Sequence, residues 1–204
     1  AAFFLSAAFP ADRQDWFAGV MEGLREILER HATPLAGGDL SAADRCFFCA
    51  TVIGQVPEGR ALLRSGARPG DAVFVTGEPG RSGAGLRLLA SGYRRTAPDA
   101  FADPSGGIWP GEGPVWNCLR KHLRPEPRLA AGLFLREAEA VTAAIDTSDG
   151  IAKDLRQICV QSNVGAVLSD SFLQVLTDGD RVTFADVLGG GEDYELLFCV
   201  DPAR

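Results

Sequence analysis

VTAAIDTSDGIAKDLRQICVQ, residues 141–161, changes its repeat period within a single turn. Val141 to Ile145 is a short apolar run and reads as a buried strand. From Gly150 to Gln161 the apolar spacing lengthens to three and four. Ile151, Leu155, Ile158 and Cys159 then share one face, which predicts a helix. Asp146 ends the strand, and Ser148 and Asp149 stand where the helix begins. Two carboxylates three residues apart at such a junction converge on one point, and the first helical turn adds unpaired N–H groups that favour an anion. Mg²⁺ takes carboxylate oxygens and lets phosphate oxygens complete its shell. The competing reading is that Ser148 or Asp149 merely caps the helix.

Reading outward, the C-terminal side predicts a strand over 165–168, a helical turn over 184–188 and a strand over 194–200. The last is preceded by a second acidic group on glycines, Gly189-Gly-Gly-Glu192-Asp-Tyr-Glu195. On the N-terminal side, residues 129–140 read as a helix and 71–76 as a strand. The Gly-rich stretch 77–85, which leads into a helix through Leu86, Leu88 and Leu89, resembles a phosphate cradle but lacks the lysine of a P-loop. Residues 91–127, rich in Pro and Gly, read as a long surface excursion, with Trp109 and Trp116 burying a loop. Arg60, Arg64 and Arg68 recur every four residues in the connector 57–70, either as a solvated face or as an arginine offered to a phosphate. A domain boundary is placed after Arg68, giving segments 1–68 and 69–204.

Further upstream, residues 11–32 carry a helical pattern that Asp12 or Asp15 could cap. Residues 1–10 and 45–56 read as strands. Gly37-Gly38-Asp39 reads as a turn that presents a third acidic site on glycines. Cys46 and Cys49 read as packing residues, and neither His31 nor His122 has the context of a catalytic triad. Strands and helices that do not strictly alternate favour an α+β fold.

Composition narrows the functional classes. The 204 residues hold 20 Lys and Arg against 27 Asp and Glu, a net charge of −7, which argues against binding nucleic acid by bulk charge. With 24 glycines and 12 prolines, the chain falls short of the roughly 25–30% that marks low complexity. No apolar run reaches the ~18 residues of a membrane span. Five scattered cysteines suit a reduced, cytoplasmic setting. The missing initiator Met and the abrupt end at Arg204 suggest a piece of a longer protein.

In their order these motifs resemble the thiamine-monophosphate kinase family of the aminoimidazole ribonucleotide synthetase superfamily. The matching segments are Ala36-Gly-Gly-Asp39, Gly59-Arg-Ala-Leu-Leu-Arg-Ser-Gly-Ala-Arg-Pro-Gly-Asp71, Val75-Thr-Gly77, His122-Leu-Arg-Pro-Glu-Pro-Arg128, Ala144-Ile-Asp-Thr-Ser-Asp-Gly150 and Gly190-Gly-Glu-Asp-Tyr-Glu-Leu-Leu-Phe198. The resemblance implies an α+β, two-domain aminoimidazole ribonucleotide synthetase-like fold whose N-terminal domain is incomplete here. It implies Mg²⁺- and ATP-dependent phosphorylation of thiamine monophosphate to thiamine diphosphate, by direct in-line transfer, in a cytoplasmic homodimer. By likeness, Asp39, Asp146 and Asp149 would hold Mg²⁺, with Asp146 and Asp149 at the catalytic centre. Gly38, Asp39, Arg64 and Ser148 would meet ATP, and Glu192 would face the thiamine substrate. The family's Asp-Asp-Ala-Ala and Thr-Thr-Asp motifs are not in this stretch, and Leu40 stands where the family has Thr. An inactive homologue that binds a ligand or partner, or another ATP-using enzyme of the superfamily, are the alternatives.

Overall fold

The computed structural model describes residues 1–179 and 181–204. They divide into two compact units, Ala1–Gly59 and Arg60–Arg204.

The first unit is built around β1 (Ala2–Phe9). A 3-10 turn and α1 (Gln14–Arg30) lead to β2 (Leu35–Ala42) and β3 (Phe47–Ile53). The sheet order is β2-β1-β3, with β2 parallel and β3 antiparallel to β1. Leu5 and Ala7 are buried, and Phe9 stacks on Phe17 of α1, so the odd positions of β1 face the helix. Asp12 and Asp15 do not cap α1, whose N-cap is Arg13 without a side-chain bond. Gly37 and Gly38 form no turn. Gly38 lies within β2 opposite Leu5, and a Cβ there would drive into the Leu5 carbonyl oxygen. The glycine signal marked close backbone approach between parallel strands. Cys46 and Cys49 are exposed in this unit and not packed.

The second unit pairs β4 (Ala72–Val75), β9 (Leu196–Val200) and β8 (Val141–Asp146) in the order β4-β9-β8, both pairs antiparallel. Between β4 and β8 come α2 (Arg81–Ala90), β5 (Arg94–Ala97), β6 (Ala100–Ala102), β7 (Ile108–Pro110), α3 (Pro114–Leu123) and α4 (Leu129–Glu137). After β8 follow α5 (Ile151–Ser162), α6 (Asp170–Leu176) and α7 (Phe184–Gly189). The expected α+β class holds. The face of α5 read from the sequence packs Leu155 and Ile158 against Ala143, Ile145 and Leu197, while Ile151 joins Ala84, Cys118 and Val187. Each fully buried Leu, Ile or Val side chain among them stabilises the fold by about 1.5–3 kcal/mol.

Three expectations change. The unit boundary falls after Gly59, nine residues before Arg68. The stretch 60–68 is tied into the second unit: the Leu63 carbonyl accepts from Ala144 N–H, Gly66 and Ala67 donate to Ser162 Oγ, and Ala67 sits in the core. Residues 91–127 are not a loose excursion. β5-β6-β7 is an antiparallel meander, and Phe101, Trp116 and Leu119 form a small core of their own. Its β6–β7 turn is held by Asp103, whose carboxyl accepts from Ser105, Trp109 and Gly107, bonds that hold its pKa down at about 2. Residues 165–168 form no strand.

Candidate active site

β8 buries Ala143, Ala144 and Ile145 and then emerges, leaving Asp146 exposed at its end. Thr147 is buried, Asp149 is exposed, and Gly150 is the N-cap of α5. No side chain caps α5, so neither Ser148 nor Asp149 is spent on the helix terminus. Instead the buried Asp154 of the first turn accepts from the Asp149 N–H at 3.1 Å. Burial first, and then the charges of Asp149 and Asp146, push the Asp154 carboxyl above its ordinary pKa. The turn thus gathers negative charge that a cation would relieve.

The loop between α7 and β9 is laid on this turn. Glu192 N–H donates to the Ser148 carbonyl at 2.9 Å and Tyr194 N–H to the Thr147 carbonyl at 2.8 Å. Thr147 N–H donates to the Glu195 carbonyl, and Glu195 N–H donates to Thr147 Oγ1. The fit is backbone on backbone. A Cβ on Gly191 would meet the Ser148 carbonyl oxygen at 2.7 Å, and one on Gly150 would meet Gly189 Cα at 2.7 Å. Residues 191–195 alternate, with Asp193 and Glu195 buried and Glu192 and Tyr194 exposed. Both exposed residues have left-handed backbone, φ +56° and +50°, strain of the sort concentrated at functional sites. Asp146, Ser148, Asp149 and Glu192 are therefore carried by two segments locked to each other.

The two buried acids of the loop have partners that the sequence did not reveal. The Asp193 carboxylate accepts from Gly80 N–H at 2.6 Å and Ser82 N–H at 2.9 Å. It fills the N-terminus of α2, so the Gly-rich stretch read as a phosphate cradle already holds an anion of the protein's own. Glu195 is fully buried and accepts from Thr76 Oγ1, from Lys121 Nζ, and from both Nε and Nη2 of Arg128 at 2.6 and 2.5 Å. Burial alone would raise the Glu195 pKa, but the bonds from Arg128, Lys121 and Thr76 outweigh it and hold the carboxyl below its usual range. His122 has a partner after all, Ser82 Oγ at 3.0 Å from Nδ1, yet Ser82 is wholly buried and offers no nucleophile to a ligand.

Arg64 is exposed on the stretch that runs along β8 towards Ser162, the last residue of α5, whereas Asp149 precedes the first. Gly38 and Asp39 belong to the first unit. Asp39 pairs with Ser6, so it faces away from α1, and it accepts from Ser41 Oγ at 3.0 Å. Among the described residues no three His, Cys, Asp or Glu side chains converge as a metal cage. A Mg²⁺ ion held by one or two carboxylates, waters and nucleotide phosphates asks for no such cage, and the exposed pair Asp146 and Asp149 fits that donor set.

The fold is AIR synthase-like. Residues 1–56 match the family model "AIR synthase related protein, N-terminal domain". Along nearly its whole length the chain is similar to thiamine-monophosphate kinases. It is 34% identical over 203 residues to the enzyme of Salmonella typhimurium, covering 96% of this chain and 57% of that one. The crystal structure of thiamine-monophosphate kinase from Stenotrophomonas maltophilia superposes with a TM-score of 0.77 at 29% identity, over 99% of this chain and 61% of that chain. A solved complex of AaThiL with AMPPCP and TMP matches with a TM-score of 0.71 at 25% identity, over 100% and 62%. The resemblance read from the motifs is thus borne out, and the chain spans a little over half the length of the relatives it matches.

Proposed function

We propose that the protein is a phosphotransferase that uses ATP and Mg²⁺ to phosphorylate thiamine monophosphate, giving thiamine diphosphate. The observation that carries this reading is the double loop of the second unit, in which four backbone-mediated bonds hold Asp146, Asp149 and Glu192 as a rigid acidic set. Its support is the 34% identity to a thiamine-monophosphate kinase over the whole of this stretch.

Asp146 and Asp149 are proposed to hold Mg²⁺, with Asp39 as a further ligand. Ser148, Gly38 and Arg64 are proposed to meet ATP, and Glu192 the thiamine moiety. A bound Mg²⁺ would neutralise charge on the phosphates as the transferred group moves. A phosphate oxygen of thiamine monophosphate forms the new bond to the γ-phosphorus, and the bond from that phosphorus to the ADP oxygen breaks, the electron pair leaving with ADP. Phosphoryl transfer asks the protein mainly for positioning and charge compensation, so no nucleophilic side chain is required. The buried state of Ser82 agrees with a direct transfer. A homodimer is also proposed: the sheet face of the first unit opposite α1 carries exposed Phe47 and Ile53, which a second copy would cover.

A second reading has one observation in its favour. Leu40 stands where the resembled family has Thr, which suits a homologue that binds ligands without turnover. Incubating the protein with ATP, Mg²⁺ and thiamine monophosphate separates the two. Thiamine diphosphate should form and EDTA should stop it; intact binding of thiamine monophosphate without product would overturn the kinase reading.

A further inference from the structure

A cleft of about 310 Å³ opens in the second unit beside Gly77 and Glu195, lined by none of the residues assigned above. Five cations line it: Arg81, Arg120, Lys121, Arg124 and Arg128. Only three carboxylates stand among them, Glu78, Glu126 and Glu195, which leaves an excess of two positive charges. That is a local reversal in a chain whose net charge is −7.

The pairing inside the cleft is incomplete. Lys121 and Arg128 converge on one carboxylate, Glu195. Arg81 pairs with Glu78 through Nη2, while its buried Nε has no hydrogen-bond partner among the described residues. Arg120 meets Glu126 only at 3.4 Å. The Arg124 side chain makes no hydrogen bond or ion pair among the described residues. Clefts lined by one sign of charge focus the field and concentrate counter-ions, and a planar guanidinium matches a phosphate geometrically.

We infer that this cleft is a binding site for a phosphate-class anion, gripped chiefly by Arg120 and Arg124 and supported by Arg81, Lys121 and Arg128. The inference does not depend on the proposed kinase reaction, because it uses none of the residues placed there. It also lies one bond from that site: the main chain of Glu195, which shares Lys121 and Arg128 with the cleft, donates to Thr147 beside Asp146.

The test is binding of inorganic phosphate and pyrophosphate to the protein, measured by calorimetry in EDTA at constant ionic strength set with chloride. EDTA removes metal-dependent binding at the acidic turn. The double variant Arg120→Ala, Arg124→Ala changes two exposed side chains outside the Glu195 network, and its melting temperature checks the fold. Its affinity should fall by about tenfold or more, a loss of the size expected for charge-assisted contacts, while Asp149→Asn binds like the parent. A second arm asks for the source of the phosphoryl group. Displacement of phosphate by thiamine monophosphate but not by thiamine, lost in the double variant, assigns the cleft to a phosphorylated compound. Failure of both to displace it assigns the free anion. No binding at millimolar anion, or equal binding by the folded double variant, overturns the inference.

Discussion

Asp149 stands exposed at the start of α5 but supplies no cap to it. Its removal should therefore be felt in chemistry and not in folding. Asp149→Asn is expected to lower turnover by about 10²–10³-fold and to shift unfolding free energy by no more than about 0.5 kcal/mol. Steady-state kinetics and denaturant melts of the same preparation measure both, and a large stability loss would restore the capping role. Glu195 behaves in the opposite way. Its folded pKa lies below the ordinary 4.5, so its ionised form stabilises the protein above that value, and the contribution is lost as pH falls through the lowered folded value. Glu195→Gln should cost about 3 kcal/mol near neutral pH, the low end for a broken buried pair because Arg128 is partly exposed. The gap between the two proteins should narrow in acid melts. The exposed acids were legible because a turn signal is local. The buried ones were not: Asp193 meets Gly80, 113 residues away, and Glu195 meets Arg128, 67 residues away. The alternation in Glu192-Asp193-Tyr194-Glu195 was the available signal, separating an outward pair from an inward one.

At the level of elements, glycine was the residue most easily misread. Gly-Gly commonly makes a turn, yet Gly38 lies where β2 runs against the β1 backbone. The obstacle to a side chain there is main chain, which cannot swing aside. Gly38→Ala should cost more than about 4 kcal/mol, the range reserved for a named structural lesion, read as loss of the cooperative transition of the first unit. Strands and helices with a clear period, such as β1, β8 and α5, emerged within a residue or two of expectation. β5 to β7 did not, because strands of three or four residues are too short to display a period. Nor did α6, whose seven residues are fixed by the Ser169 cap and by Phe172 and Leu173 packing on a distant core.

For the whole molecule, the two units pose different problems. No helix among the described residues is long and apolar enough to cross a membrane. In the first unit both flanking strands are exposed along their full length, apolar residues included. If a second copy covers that face, Phe47→Glu should convert dimer to monomer in analytical ultracentrifugation while the melting transition of the second unit persists. An unchanged sedimentation coefficient would remove the homodimer from the proposal. The sequence carried the α+β class through the order of its elements, but not the position of the unit boundary. The connector 57–70 looks uniform in composition, and only its bonds to Ala144 and Ser162 show that its latter part is built into the second unit.

β9 lies between β4 and β8, although it follows both in the chain by many residues. A polypeptide emerging from the ribosome therefore displays two strand edges that belong together but cannot yet meet. Until Leu196–Val200 has been translated, those edges stay open to neighbouring chains on the same polysome. Slow decoding just before this segment would lengthen that exposure, making recombinant yield sensitive to codon choice near the end of this stretch.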